Sequence, residues 1–364
     1  MLVLNDAHLG VQRSGGTTPS SREALRNYLF GAFEGILHDT TENHVCILGD
    51  LFDTFEVAGR DWVQCYMVLQ DWLARPNGGK QHLLTLVAGN HDHSPKALRV
   101  SSFEMLCAVL VEQFGAQVKV LGIDQFDIID TEVYALSHCS NQDIFNEKLG
   151  KVLGLVGPGS RVLLHTNYDN HFAAASDHSL NVSEAQAQEF STKGATLYFA
   201  HEHQARTALG GSVVVLGNQW PSSVSDCLNN DSKFAHIFNG GVTKVQTWAA
   251  HGTEAGVMND LTGFITLPWN ELDVYLEAND SFGFVRVTGT ASSNQAGDCI
   301  SAIAKFRAKS NALVITNAVK IEGIVDNEAL PEAFEAAKTF DVLEFINSNL
   351  DTEQQAAVAK LLEV

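Results

Sequence analysis

Nine side chains in this sequence are of kinds that bind hard cations or move protons, and each stands at the end of a short apolar run. They are Asp6 and His8, Asp50 and Asp53, Asn90 and His91, His165, and finally His201 and His203. In Asp6-Ala7-His8 the alternation of an extended chain puts two ligands on one side, where they can grip a single ion. Carboxylate, amide and imidazole without thiolate suit Mn²⁺, Mg²⁺ or Fe²⁺ better than structural zinc. Nine groups exceed the needs of one ion. Two ions roughly 3.5–4 Å apart, sharing a carboxylate, would use most of the set and leave an imidazole free. Singly the motifs say little, since Gly89-Asn90-His91-Asp92 could equally make only a turn.

The elements that must position these groups can be read from the apolar spacing. Leu2–Leu4 is a very short strand, and a helix over about 21–38 follows, capped by Ser20 or Ser21 and apolar at Leu25, Leu29, Phe33, Ile36 and Leu37. Strands at 44–48 and 83–87 flank a helix over about 61–73, so strand and helix alternate as in a parallel sheet covered on both faces. A helix from about Ser101 to Phe114 comes next, and then the pattern changes to short strands near Val118, Phe126 and Val133, which suggests a second sheet. Further strands are expected at 161–165, 195–200 and 213–216, with 166–183 an exposed loop over the site. A hairpin over 235–248 turns at Asn239-Gly240, a pair suited to a type I′ turn, and Trp220 reads as a core residue. His93, His138, His171 and His178 read as loop or surface residues.

The polar stretch 249–263 is the linker candidate. Beyond it a compact β-α-β arrangement spans about 283–316 and carries no ligand cluster. The last 34 residues spell two short helices with apolar positions at Phe340, Leu343, Val358 and Leu361, which either pack back on the chain or bind another protein.

With 45% hydrophobic and 18% charged residues the composition is that of a globular protein. No apolar run approaches the roughly 18 residues of a membrane span, and Asn5 and Asp6 interrupt any signal-peptide core, so a cytoplasmic protein is expected. Six cysteines without C-x-x-C spacing read as free, mostly buried thiols. The formal charge of −20 excludes a basic DNA-binding module, although bound cations or a basic partner could supply a positive field.

Taken in order, Asp-x-His, Gly-Asp-x-x-Asp, Gly-Asn-His-Asp, His and x-His-x-His resemble the calcineurin-like metallophosphoesterases over about residues 1–250. Ala200 stands where that family usually has glycine. The form Asp6-Ala7-His8-Leu9-Gly10, and the absence of Arg-Gly after Asp53, bring the chain nearest to the nuclease subunit of SbcCD-type double-strand-break repair complexes, including that of T-even phages. The resemblance implies an α/β fold: a two-sheet sandwich flanked by helices (1–258), a small α+β capping domain (259–330) and a C-terminal helical pair (331–364) for a partner. It also implies that Asp6, His8, Asp50 and His203 hold one divalent metal ion, Mn²⁺ first among candidates, and that Asp50, Asn90, His165 and His201 hold another. A water shared by the ions would attack phosphorus, His91 would protonate the leaving oxygen, and Asp53 would orient His91 or the phosphate. The implied partners are double-stranded DNA ends, a coiled-coil ATPase subunit and a second copy of the chain, with no membrane. A small-molecule or generic phosphodiesterase is the alternative, and a scaffold that has lost its chemistry would not keep the whole ligand set.

Overall fold

The computed structural model describes residues 1–11, 19–76, 78–94, 99–170, 180–229, 231–249, 263–278 and 282–322. The fold is mixed α/β, built on two six-stranded sheets. In the first, β1 (Leu2–Leu4), β2 (His44–Leu48), β3 (Leu83–Val87) and β4 (Val118–Leu121) run parallel, and the antiparallel pair β13 (Lys233–Asn239) and β14 (Gly241–Trp248) lies beside β1. In the second, β6 (Val133–Leu136), β7 (Arg161–His165), β10 (Thr196–Ala200) and β12 (Val213–Val215) run parallel between antiparallel edges β5 (Phe126–Asp130) and β11 (Arg206–Ala208).

Alternation along single strands explains why the sheets face each other. In β2, Val45 and Ile47 pack outward beneath α1 (Pro19–Asp39), α2 (Gly59–Ala74) and α3 (Ser102–Phe114), whereas Cys46 and Leu48 pack inward. In β10, Leu197 and Phe199 face α4 (Gln142–Leu155) and α5 (Glu184–Thr192), whereas Tyr198 and Ala200 meet Cys46 and Leu48 in the layer between the sheets. Both faces of β2 and of β10 are therefore apolar and covered, as continuous Val/Ile/Leu runs require. The Ala200 methyl belongs to this layer.

The small unit has three parallel strands, β15 (Phe264–Pro268), β16 (Phe284–Thr288) and β18 (Val314–Asn317). They are covered by α6 (Leu272–Ala278) and α7 (Ala296–Lys309), and a two-residue ladder joins β17 (Thr290–Ala291) to β19 (Lys320–Ile321). Phe284, Leu313 and Val314 join the first sheet's core, where the Phe284 ring lies 5.9 Å from Tyr28 and 6.5 Å from Trp248.

Several expectations are corrected. β4 pairs with β3 and so extends the first sheet; only β5 and β6 begin the second. The loop after His165 is not wholly exposed: β8 (Asn167–Tyr168) pairs with β9 (Asn181–Val182), and Tyr168, Leu180 and Val182 are buried because they fill the outer core of the second sheet. Residues 171–179, with His171 and His178, lie outside the described residues, as do most of the linker and the C-terminal helices. The hairpin turn has positive φ at Gly240 alone, because Asn239 pairs directly with Gly241, whereas a type I′ turn needs two such residues. All six cysteines are free and buried. Among the described residues no helix is long and apolar enough to cross a membrane.

Candidate metal centre

The parallel strands β1, β2, β3, β7 and β10 deliver their C-terminal ends to one place, where open α/β sheets bind ligands. Beyond β1 and β2 the chains stay zipped. The amides of Asp6, His8 and Leu9 donate to the carbonyls of Gly49, Asp50 and Leu51 (3.2, 3.0 and 2.9 Å), and the Asp53 amide donates back to Leu9 (3.1 Å). Asp6, His8, Asp50 and His201 all have positive φ, a conformation with a steric cost that concentrates at functional sites. Gly49 and Gly89 are open because side chains occupy the space beside them: a Cβ on Gly49 would lie 2.0 Å from His165 Nδ1.

Ligand atoms of Asp6, His8 and His203 gather within 4.8 Å of one another, and so do those of Asp50, His165 and His201. His8 Nε2 faces His203 Nε2 at 3.1 Å, His165 Nε2 lies 3.1 Å from Asn90 Oδ1, and His165 Nε2 lies 3.3 Å from Asp50 Oδ2. Two ligand atoms about 2.1 Å from one cation and at right angles to each other are about 3 Å apart, so these separations match the edges of coordination polyhedra. Asp6 Oδ2 accepts from Asn5 Nδ2 and from the His201 amide (3.1 Å), while buried Oδ1 has no hydrogen-bond partner. A buried carboxylate oxygen left without a donor is costly, and a cation would satisfy it. The donor set therefore fits two divalent ions.

The surroundings set the protonation of each ligand. Burial dominates at His8 and, together with His203, pushes its pKa down to about 4 against the pull of Asp50, Asp6 and Asp53, so its ring is neutral near pH 7 and can bind metal. Burial also acts to lower His165, but Asp50's charge and hydrogen bond, with Asp6, outweigh it and hold the ring up at about 10. At Asp50 burial works to raise the pKa and is overcome by the neighbouring histidines, chiefly His165, which hold it well below the usual carboxylate range. His165 Nδ1 donates to the Leu48 carbonyl (3.0 Å), which aims Nε2 at the centre. Asp92 lies behind the loop, its Oδ2 accepting the Gly89 amide at 2.9 Å; burial and Asp50 push it up to about 7.

His91 lies outside both ligand groups, with its side chain 39% exposed and Nε2 3.9 Å from Asp50 Oδ2. Its amide donates to Asp50 Oδ1 (2.9 Å), and its Nδ1 bonds to the backbone carbonyl of Asp53. The Asp53 carboxylate instead lies 3.5 Å from His8 Nδ1. The carbonyl and the carboxylate of Asp53 thus face different histidines, the carboxylate near a His8 Nδ1 that makes no hydrogen bond. Asp53→Ala is expected to weaken Mn²⁺ binding about tenfold through His8 while sparing the carbonyl that orients His91. Calorimetry and turnover check this: unchanged Mn²⁺ affinity with a turnover loss as large as that of His91→Asn would show that the carboxylate serves His91 instead.

The structure gathers the expected ligands into two groups, with Asp50 in the group of His165 and His201 and not in that of Asp6, His8 and His203, and it adds residues not read in the sequence. Asp226 and buried Lys233 both hold His203, through Nδ1 (2.8 Å) and the backbone carbonyl (3.0 Å). Asp226 has one sequence signal, the Ser223-x-x-Asp226 capping pattern, and Lys233 has none. His138, read as a surface or loop residue, is half-buried at the end of β6, and its amide donates to the Ala88 carbonyl (2.9 Å), so the two sheets are joined beside the site. Burial, then His165, push its ring down to about 4. Trp220 is a core residue. No family model matches the chain, and no curated protein matches it with significant similarity.

Proposed function

We propose that this chain is a two-metal phosphodiesterase of the metallophosphoesterase type, a nuclease that cleaves DNA at double-strand ends as a subunit of a recombination or repair complex with a coiled-coil ATPase. The observation that carries the proposal is the pair of three-ligand groups, Asp6/His8/His203 and Asp50/His165/His201, side by side with a half-exposed imidazole, His91, outside both. Cations held by these two groups would supply Lewis acidity toward a phosphoryl oxygen and lower the pKa of a bound water. Asn90 joins the second group through Oδ1, and Asp50 is the carboxylate of that group. His91 Nδ1 is held by the Asp53 carbonyl, which leaves Nε2 to carry the proton given to the departing sugar oxygen. Asp6, His8, Asp50 and His165 are buried, which strengthens their electrostatic action on charge built at the partly open face lined by His91, His201 and His203.

The formal charge of −20 favours a second reading, a hydrolase of small phosphodiesters that needs no polyanion grip. One experiment separates the two: Mn²⁺-dependent degradation of linear duplex DNA, by the chain alone and with a coiled-coil ATPase, beside hydrolysis of bis(p-nitrophenyl) phosphate. DNA degradation with an ATPase-stimulated rate is expected. Turnover of the small diester with intact DNA under every condition would sink the nuclease reading. In either assay His91→Asn is expected to lower turnover about 10²–10⁴-fold while leaving Mn²⁺ affinity unchanged, and a wild-type rate would remove His91 from the chemistry.

A further inference from the structure

His203 reaches the centre from a short, sharply turned segment, and its ring is fixed from behind. His203 Nδ1 lies 2.8 Å from Asp226 Oδ1. A carboxylate only accepts, so Nδ1 carries the proton and the Nε2 lone pair faces His8 Nε2, 3.1 Å away. Asp226 is itself over-determined. Its Oδ2 accepts the amides of Ser222 and Ser223, both at 2.9 Å, and the Ser222 hydroxyl at 3.3 Å, and it is buried. Lys233 Nζ, also buried, donates to the His203 carbonyl at 3.0 Å, so ring and backbone are held independently.

We propose that Asp226 is a positioning residue that keeps His203 in the one tautomer able to bind a cation beside Asp6 and His8. The proposal rests on the metal-binding reading above and adds a residue that neither motif spacing nor ligand type reveals. A carboxylate behind a ligating imidazole fixes ring orientation and raises its basicity. A bland alternative exists, because Asp226 also closes the capping box of the turn Val224–Cys227.

Asp226→Asn distinguishes the two. The asparagine oxygen can still accept from Ser222 and Ser223, so the cap survives. That choice turns its NH₂ toward His203 Nδ1, donor against donor. The ring must then move its proton to Nε2, where it donates to His8 Nε2 and fills the space a cation would take. Calorimetric titration of the full chain with Mn²⁺, together with thermal unfolding of metal-free protein, is the test. The wild type is expected to take two ions. The variant is expected to bind one as before and the other about 10–100-fold more weakly, with metal-free Tm retained and the His203 proton on Nε2 by ¹⁵N NMR. Two ions bound at wild-type affinity would overturn the proposal. Equal weakening of both ions with a lowered Tm would overturn it in favour of the capping role. A wild type that binds no Mn²⁺ would instead overturn the metal reading on which it rests.

Discussion

Asp50→Asn is expected to reduce Mn²⁺-dependent hydrolysis to the metal-free background. Both Asp50 oxygens are committed, Oδ1 to the His91 amide at 2.9 Å and Oδ2 facing His165 Nε2 at 3.3 Å. Asparagine keeps the size but loses the charge that holds His165, repels Asp92 and would anchor a cation. The same change alters stability against pH in metal-free protein. His165 is raised from 6.5 to about 10, so its contribution is fully present below pH 6.5 and fades as pH climbs through the window to about 10. Asp50 is shifted the other way, so its contribution is present above its unfolded value of 3.8 and fades as pH falls below it. Urea denaturation at several pH values between 6.5 and 10 should show the wild type losing stability and Asp50→Asn nearly flat. A cation must displace the His165 proton, so wild-type Mn²⁺ affinity should rise with pH over that window, by up to about tenfold per unit for one proton released. Wild-type Mn²⁺ binding or turnover in Asp50→Asn would remove Asp50 from the centre.

Gly89→Ala should be nearly as damaging although it adds a single methyl group. A Cβ there would lie 2.2 Å from Asp50 Oδ1, 2.5 Å from the Asp50 amide nitrogen and 2.9 Å from His165 Nε2. One of these atoms is backbone and the others belong to side chains pinned from behind, so no rotamer relieves the contact. Overpacking of this kind costs about 1–3 kcal/mol, and the parting of β2 from β3 would spoil the Asp50/His165/His201 group. Gly150→Ala is the matched control. Gly150 lies within α4 with nothing within 4 Å of its Cβ, so the change is expected to be stabilising by about 0.5–1 kcal/mol. Chemical denaturation and Mn²⁺ stoichiometry measure both. Gly89→Ala with wild-type stability and two bound ions would mean that the ends of β2 and β3 have room for a methyl group.

Much of the site was legible because metal chemistry restricts residue type. Asp6, His8, Asp50, Asn90, His165, His201 and His203 declare themselves by being polar immediately after apolar strands, and a strand buried on both faces must carry its polar groups at its ends. Supporting residues have no such constraint. Asp226 lies in a serine-rich turn and Lys233 at the head of an edge hairpin, and both resemble ordinary surface residues until the chain closes. His138 does lie in a loop, as read, but its partial burial had no local signal. Its burial comes from the second sheet meeting the first through the Ala88 carbonyl, a contact between residues 50 apart in sequence (138 − 88).

By itself the sequence determined the strand-helix alternation, the buried free cysteines and the identity of the metal-capable groups, because local period and side-chain chemistry need no distant partner. The family resemblance implies how those groups divide, and only the tertiary structure decided the contacts through which they meet. It put Asp6 with His8 and His203, Asp50 with His165 and His201, and the Asp53 carboxylate 3.5 Å from His8 Nδ1. The physical reason is that the ligands come from two sheets whose relative placement is set by the apolar layer of Val3, Cys46, Leu48, Leu163, Tyr198 and Ala200 between them. Packing of that layer brings imidazole nitrogens from β1 and β10 to 3.1 Å, a distance to which residues 195 apart in sequence contribute no local signal.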